Sequence, residues 1–231
     1  MELLVVERQK FLIFPVLCTL IFPKKKDIFV CPIVENSTLR QVLFPTGSDF
    51  VDWFNHSLVY QGGSVVAYNT PLEKFPVFHR RGSILPLEVQ SSIVGHGDES
   101  SSDALTLLVL HPRRGGSEDV LLREWKQHSQ QISYVFEQGS LTFSVSAHNR
   151  TLLFCLKGIH VKSADIEKIS GKKEFVPLLV NSDLTALKRK VFGWMRDSVE
   201  HDKLWIRIDG ALLTKGCVLR FHGVSTTFND F

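Results

Sequence analysis

Two aspartates in a strand-rich region are the first candidates for chemistry in this sequence of 231 residues. Asp49 and Asp52 are three positions apart, so one carboxyl could serve as a general acid and the other as a general base. A catalytic pair would need a cavity that no pattern in the sequence indicates, and carboxylates at strand edges are usually solvated. The spacing therefore favours two solvated side chains over a catalytic pair.

A second candidate is the cationic corner HRRG (79–82) inside PLEKFPVFHRRGSILPL (71–87). Such a corner could clamp a phosphate, contact a sugar or hold a general base. It could equally be a turn, because Gly82 suits a tight turn and the prolines suit strand ends. The strand pattern predicts a hairpin between KFPVFH (74–79) and SILPLEV (83–89).

Three aromatic side chains, Trp53, Phe54 and Tyr60, lie in the same region. Rings in a row could form a platform on which a sugar stacks. The same rings are typical of core and hairpin packing, which is the more common use. Both interpretations stay open from the sequence, with packing favoured.

Other catalytic, cofactor and metal signatures are missing from the sequence. It has no Gly-x-Ser-x-Gly elbow and no His-Glu-x-x-His motif, and Gly95-His96-Gly97 lacks the strand-then-helix context of a nucleotide loop. The cysteines are too far apart for a zinc site and too few for a disulfide framework, so we expect small buried hydrophobes. They are Cys18, Cys31, Cys155 and Cys217. We predict no catalytic residue, no cofactor and no metal in this chain.

The charge balance and the amino terminus narrow the range of partners. Lys and Arg number 27 against 24 Asp and Glu, and the cationic run at 24–26 stands alone, so a nucleic-acid partner is not expected. The apolar run FLIFPVLCTLIF (11–22) is too short to span a bilayer comfortably and is followed by PKKKD rather than by a cleavage site. A membrane partner and a working signal are therefore not expected, and the compartment stays unknown.

Asn-x-Ser/Thr sequons occur at Asn36, Asn55 and Asn149. A sequon accepts a glycan only in a secretory compartment, and motifs this short are also frequent by chance. The sequons carry no prediction by themselves.

From residue 28 onward the sequence consists mainly of short apolar strands separated by turns, at spacings typical of a sandwich. SSIVGHGDESSSDA (91–104) is small and polar and reads as a linker. We predict an all-β fold with two consecutive antiparallel β-sandwich domains. SDLTALKRKVFGWM (182–195) begins with a cap signal and places apolar residues at helical spacing, which predicts one short helix.

The stretch from FPTGSDFVDWF to GSILPL (44–87) resembles the region that follows the catalytic barrel in glycoside hydrolase family 31, of the α-glucosidase-like type. The family pattern runs from Leu-Pro-x-Gly through Gly-Gly to Ala-Pro-Leu-Asp-x-Ile-Pro and Val-Arg-x-Gly-Ser-Ile-Leu-Pro. DIFVCPIVENSTLRQVLFP (27–45) is similar to the family segment that leaves the barrel. The positions in register are Gly47, Asp52, Trp53, Gly62, Gly63, Pro71, Leu72, Pro76, Arg81, Gly82, Ser83, Pro86 and Leu87.

The resemblance implies a division of the chain. Residues 27–90 are expected to be the proximal C-terminal sandwich region of the family, 91–104 a linker and 105–231 a distal sandwich. Residues 1–26 match the family poorly. The distal assignment rests on strand pattern, because the family's Leu-Tyr-x-Asp-Asp-Gly element is not visible.

The resemblance also implies a function. Family members are retaining glycosidases whose two catalytic aspartates come from loops of a (β/α)₈ barrel, about 5–5.5 Å apart. No aspartate of this chain matches either catalytic motif. The expected role is therefore that of the non-catalytic C-terminal part, with the barrel of the same protein as its partner in cis and no activity alone. The first 22 residues stand where barrel sequence is expected, which favours a fragment, a truncated product or a partial gene model.

A free-standing β-sandwich that binds carbohydrate or a protein is the alternative hypothesis. Trp53, Phe54 or Tyr60 exposed in line on one face would favour it, whereas a buried Trp53 would favour the barrel-packing role. That role also predicts an apolar patch on residues 28–87, and a uniformly polar surface there would contradict it.

Overall fold

In a computed structural model of the protein, the described residues are 19–21, 27–32, 38–71, 74, 76–122, 130–147, 149–168, 173–175, 178–179, 183–197 and 199–227. The chain forms two compact units that divide between Arg81 and Gly82. The described part of each unit consists mainly of β-strands and their connections.

The strands of the first unit form two sheets in which every pairing is antiparallel. They are β1 (Thr19–Ile21), β2 (Ile28–Val30), β3 (Leu39–Leu43), β4 (Phe50–Asp52), β5 (Val59–Tyr60), β6 (Val65–Asn69) and β7 (Val77–Arg80). Among the described residues one sheet has the order β1–β2–β7–β4–β5, and the other pairs β3 with β6. Strand β7 is therefore central, with β2 and β4 hydrogen-bonded along its two edges.

An aromatic core joins the two sheets of the first unit. Its buried members come from both sheets and from the segments that follow β2 and β3: Phe29, Cys31, Val42, Phe44, Phe50, Tyr68 and Phe78. Tyr60 stacks on Phe44 with ring centroids 4.8 Å apart, and Phe78 meets Phe44 edge-on at the same distance. Ring pairs of this kind contribute about 0.5–1.5 kcal/mol each beyond the area that they bury.

The second unit contains two larger sheets and a small one in its described part. The strands are β8 (Ile84–Leu87), β9 (Ala104–Leu110), β10 (Ser117–Leu122), β11 (Gln130–Glu137), β12 (Ser140–Val145), β13 (Thr151–Lys157), β14 (Ile159–His160), β15 (Ser163–Lys168), β16 (Lys173–Phe175), β17 (Leu178–Leu179), β18 (Phe192–Arg196), β19 (Lys203–Ile208), β20 (Cys217–His222) and β21 (Ser225–Thr226). The sheet orders are β10–β11–β12–β20–β15–β16 and β17–β18–β19–β13–β9–β8, and β14 pairs with β21. The pairings are antiparallel except for β9 with β13 and β17 with β18, which are parallel.

The two large sheets share a second hydrophobic core. Alternate residues of β13, namely Leu152, Phe154 and Leu156, belong to it, because successive side chains of a strand point to opposite faces. Phe154 meets Phe143 of the other sheet edge-on, with ring centroids 5.1 Å apart. A core supplied by two facing sheets defines a β-sandwich, and the all-β prediction is confirmed.

The helix predicted over 182–195 is present only in its first half. Helix α1 (Leu184–Lys188) begins after Asp183, whose Oδ1 accepts the Ala186 N–H at 2.7 Å. Residues Phe192–Arg196 form β18 instead, because they pair with β19 and place Trp194 in the core. A second short helix, α2 (Gly210–Leu213), was not predicted. Among the described residues, no helix has both the length and the apolar character needed to cross a bilayer.

The predicted hairpin between 74–79 and 83–89 is wrong. Strand β7 pairs with β2 and β4, whereas β8 pairs with β9 in the second unit. Both edges of β7 are occupied, so no edge is left for β8. The corner between them passes from one unit to the next instead of reversing the chain within one sheet.

The stretch predicted as a linker, 91–104, lies within the second unit. It contains the 3-10 helices Ser92–Val94 and Glu99–Ser101, and the second is held by a capping box between Asp98 and Ser101. The limits proposed for two separate sandwich domains, 27–90 and 105–231, stay a prediction.

A charged cluster lies on strands β13 and β19 of the second unit. Lys157 and Lys203 are opposite each other in the antiparallel register and are 8% and 6% exposed. Both ammonium groups donate to the Glu200 carboxylate, Lys203 at 3.3 Å. Burial by itself would raise the pKa of Glu200, but the two lysines outweigh that effect and lower it.

Asp197 extends this cluster. It accepts the N–H groups of Val199 at 2.9 Å and Glu200 at 3.1 Å, and the Trp205 indole N–H at 3.1 Å. Burial opposes the charged form, but these hydrogen bonds and the charge of Lys203 together hold the pKa of Asp197 below its usual value. The carboxylate is therefore stabilised in its ionised form by the fold.

Replacing Asp197 with asparagine should change how the stability of the chain depends on pH. A depressed folded-state pKa gives stabilisation that is complete above the unfolded pKa of about 3.9 and is lost as the pH falls through the folded pKa. We expect Asp197→Asn to lower the free energy of unfolding at pH 7 by about 0.5–1 kcal/mol after screening by solvent. The difference from wild type should shrink in strong acid. Urea unfolding at a series of pH values measures the difference in stability, and Glu99→Gln, at an exposed position, is the control. Parallel pH profiles for Asp197→Asn and wild type would contradict the prediction.

Candidate functional site in the first unit

Asp52 is buried and stabilises the turn that follows β4. It is 2% exposed, and its Oδ1 accepts the backbone N–H groups of Phe54 at 2.7 Å and Asn55 at 2.9 Å. The carboxylate is therefore buried and already engaged by backbone donors of the turn. The expectation that Asp52 is solvated is wrong, because the turn closes over it.

The tyrosines beside Asp52 stay protonated at neutral pH. Burial raises the pKa of Tyr60 to about 12, and the negative charge of Asp52 adds to the rise. Burial also raises the pKa of Tyr68, and its interaction with Asp52 contributes to the shift. Neither phenol is poised to exchange a proton near neutrality.

Asp49 has a separate set of partners. Its Oδ2 lies 3.8 Å from Arg81 Nη1, and its carbonyl oxygen accepts the Arg81 N–H at 2.8 Å. Its Oδ1 accepts the Gly62 N–H at 3.3 Å. Asp49 and Asp52 are thus engaged individually and do not form an acid–base pair.

The cationic corner serves the fold. His79 and Arg81 are 0% and 5% exposed, so neither can reach a phosphate or sugar in solution. Arg80 donates from Nε and Nη2 to Asp27 Oδ1, at 3.0 and 2.8 Å, and its N–H donates to the Asp27 carbonyl oxygen at 2.7 Å. The corner therefore ties β7 to the residue before β2. Asp27 was not singled out from the sequence, because it is distant along the chain.

Two glycines of the family pattern occupy positions that exclude a side chain. A Cβ at Gly62 would lie 2.2 Å from the Ser48 carbonyl oxygen, which is a backbone atom. Gly82 has a φ of +79°, and its carbonyl oxygen accepts the Tyr134 hydroxyl at 2.5 Å. The strand pattern around Tyr134 predicted a strand but gave no sign of this bond, which joins residues 52 positions apart. Both glycines act through backbone geometry.

The three aromatic candidates do not form one exposed platform. Tyr60 stacks on Phe44 and packs against the aromatic core. Phe54 is 42% exposed, and the Lys74 ammonium lies 5.5 Å from its ring centroid. Trp53 is partly buried. With Tyr60 in the core, the rings cannot line up for a sugar.

An exposed apolar face lies on the outer side of β3 and β6. Leu39 and Leu43 are 59% and 50% exposed, whereas Arg40 between them is 6% exposed. Val65, 62% exposed, lies directly opposite Leu43 in the register, and the exposed Ala67 lies opposite Gln41. We call the surface formed by Leu39, Leu43, Val65 and Ala67 the outer face. It is the apolar patch that the barrel-packing role predicted within 28–87.

The cysteines differ from one another. Cys155 and Cys217 are free and buried, as predicted, and burial raises the pKa of each thiol to about 12, so neither is a nucleophile at neutral pH. Cys31 is buried in the aromatic core, as predicted, but it is disulfide-bonded, which was not predicted. Cys18 lies outside the described residues. Within the described residues, no group of three or more His, Cys, Asp and Glu could hold a metal ion.

Comparison with known proteins assigns the motif region. Residues 22–85 match the family model described as the glycosyl hydrolase family 31 C-terminal domain. These residues belong to glycosyl hydrolase family 31. The match covers β2 to β7 of the first unit and extends into β8. It includes Asp52, Gly62, Arg81 and Gly82, whose structural contacts are described above. No curated protein matches the chain.

Solved structures of similar fold include family 31 enzymes. The cycloalternan-forming enzyme from Listeria monocytogenes, in complex with a pentasaccharide substrate, has a TM-score of 0.71 at 20% identity, over 89% of this chain and 19% of its own. The dextranase of Flavobacterium johnsoniae has a TM-score of 0.66 at 17% identity, over 85% of this chain and 26% of its own. The α-1,4-glucan lyase of Gracilariopsis lemaneiformis has a TM-score of 0.67 at 16% identity, over 85% of this chain and 22% of its own. The likeness extends the fold match to most of the chain, which spans about a fifth to a quarter of these proteins.

Replacing Asp52 should test whether this family residue is structural. Asp52→Ala leaves two backbone N–H groups without their buried acceptor, so we expect a loss of roughly 2–4 kcal/mol in the free energy of unfolding. Tyr68→Phe leaves both of these hydrogen bonds in place and should cost less than about 1 kcal/mol. Urea unfolding of both variants measures this. Wild-type stability of Asp52→Ala would mean that the carboxylate is held for another purpose.

Proposed function

We propose that this chain is the non-catalytic C-terminal part of a family 31 glycoside hydrolase of the α-glucosidase type. Its role is to pack against the catalytic (β/α)₈ barrel of the same protein. The observation that carries the proposal is the outer face, where leucines are exposed while an arginine of the same strand is buried.

The outer face has the character of a surface that another domain covers. Burying a leucine or valine side chain contributes about 1.5–3 kcal/mol, so leaving Leu39, Leu43 and Val65 in water forfeits that stabilisation. Single exposed apolar residues are ordinary, but here Leu43 and Val65 are cross-strand neighbours on one sheet. Contiguous apolar surface of this kind marks an interaction site.

The length of the relatives supports a barrel as the occupant. This chain spans 19–26% of the similar enzymes, which leaves ample room for a (β/α)₈ barrel of about 250 residues in each of them. Family 31 catalysis requires two carboxyls about 5–5.5 Å apart on barrel loops. The engagement of Asp49 and Asp52 in separate structural bonds supports the view that this chain supplies neither.

A free-standing module that binds carbohydrate or a protein has less support. It would need aromatic rings in line on one surface, and Tyr60 packs against the core. Carbohydrate as a ligand of this chain stays a prediction.

The chain alone should be inactive, and its gene should encode the barrel. Purified 1–231 incubated with maltose is expected to release no more glucose than a heat-denatured sample, because the catalytic pair is supplied from elsewhere. Sequence upstream in the gene is expected to encode barrel strands with two aspartate motifs, and the joined protein should hydrolyse an α-glucoside. Glucose release by 1–231 alone would contradict the proposal.

Polar substitutions on the outer face should weaken packing against that barrel without unfolding the chain. Leu43→Gln combined with Val65→Gln changes side chains that are at least half exposed, so the melting temperature of 1–231 should change little. The same pair should lower the thermal stability of the barrel when both parts are present, and should reduce binding of an apolar dye to 1–231. Ile93→Gln, 93% exposed in the second unit, is the matched control. Equal effects of the control and the double variant would contradict docking at this face.

A further inference from the structure

The turn between β4 and β5 presents the sequon Asn55-His56-Ser57. Asn55 and Ser57 are exposed, and Asn55 Oδ1 accepts the Ser57 N–H at 3.1 Å. The Asn55 carbonyl oxygen accepts the Leu58 N–H at 2.9 Å, which closes the turn. In the described part of the chain Asn55 Nδ2 donates no hydrogen bond, so the nitrogen that a glycan would join is available at the surface.

The state of the cysteines indicates the compartment that such a modification requires. Cys31 is disulfide-bonded, and disulfides persist mainly in oxidising, secretory environments. The free thiols of Cys155 and Cys217 are 0% and 2% exposed, so the fold protects them from oxidation in the same environment. The sequon and the disulfide point to the same, secretory compartment.

The surface around Asn55 also suits a glycan. Phe54 and Leu58, on either side of the sequon, are 42% and 44% exposed. A bulky, hydrophilic glycan on Asn55 would shield this apolar surface from water. The turn belongs to the sheet of β4 and β5, whereas the outer face belongs to the sheet of β3 and β6, so a glycan on Asn55 starts from a different sheet.

At the other described sequon Asn149 is also exposed, but its hydroxyl residue, Thr151, is partly buried. The Thr151 Oγ1 of that sequon accepts the Gly210 N–H at 3.3 Å. A Cβ on Gly210 would lie only 2.4 Å from the Asn149 carbonyl oxygen, so the sequon backbone is pressed against α2. Asn36 lies outside the described residues. Asn55 is therefore the sequon whose acceptor and hydroxyl residue both lie on an open turn.

We propose that Asn55 is an N-glycosylation site that is modified when the chain enters a secretory compartment. The donor is an oligosaccharide carried on a polyprenyl pyrophosphate, and a transferase joins Asn55 Nδ2 to the anomeric carbon of the first sugar. The bond from that carbon to the pyrophosphate oxygen breaks, and its electron pair leaves with the pyrophosphate. The proton lost from Nδ2 goes to a base of the transferase. No oxidant or reductant is needed.

The test is expression of the whole chain in eukaryotic cells behind an added secretion signal. Total protein, both cell-associated and secreted, is treated with peptide N-glycosidase in heavy-oxygen water and analysed by peptide mass spectrometry. We expect the peptide that contains Asn55 to carry the heavy-oxygen aspartate left by glycan removal. Asn55→Gln and Ser57→Ala should each remove one step in gel mobility.

Two controls separate glycosylation from a folding defect. Ser57→Thr keeps a hydroxyl for the transferase and should retain the glycan, whereas Ser57→Ala should lose it although both fold alike. Asn149→Gln should leave the Asn55 peptide modified. An unmodified Asn55 peptide in wild-type protein, or unchanged mobility of Ser57→Ala, would overturn the proposal. Either result would leave the barrel-packing role untouched, because that role does not depend on the glycan.

Discussion

The ring of Phe78 lies on the central strand of the first unit and contacts residues of both of its sheets. It is 0% exposed, and its centroid lies 4.8 Å from that of Phe44, 5.2 Å from Tyr68, 5.5 Å from Tyr60 and 5.9 Å from Phe29. Burial of one phenylalanine contributes about 1.5–3 kcal/mol, a large share of the 5–15 kcal/mol by which a domain is typically stable. Phe78 is also the register partner of Asp52, so this packing positions the end of β4, where the turn with the family residues begins.

The residues that identify the family serve the fold in this chain. Asp52 holds a turn, Arg81 lies against Asp49, and Gly62 allows a backbone approach that a side chain would block. Their types resemble those of an active site because carboxylates and guanidinium groups are also the strongest internal hydrogen-bonding groups. The chemistry that the sequence suggested at first is thus used to hold strands together, and the surface that we propose to pack against the barrel is the apolar outer face.

The parts of the fold that depend on local pattern could be predicted from the sequence, and those that depend on distant partners could not. Alternation and turn residues indicated the all-β class. The partner of β7 is decided by residues 28–30 and 50–52, far along the chain, so the hairpin prediction was wrong. Side chains alternate between the two faces of a strand, so the sequence shows that Leu39 and Leu43 lie on the same face of β3. It does not show which face of β3 is buried. The helix predicted over 182–195 is longer than helix α1. Leu184 and Leu187 have helical spacing, but the sequence does not show that the helix ends before β18 begins.

The central position of β7 has a consequence for the order in which the first unit folds. The Arg80–Asp27 pair joins residues 53 positions apart, and closing so long a segment costs chain entropy before any contact repays it. During synthesis the pairs β1–β2 and β4–β5 cannot join into one sheet until β7 has been made, because β2 and β4 meet only through β7. The last strand of the unit therefore sets when its folding can be completed, and a chain that stops before Val77 would lack the strand that joins the sheet.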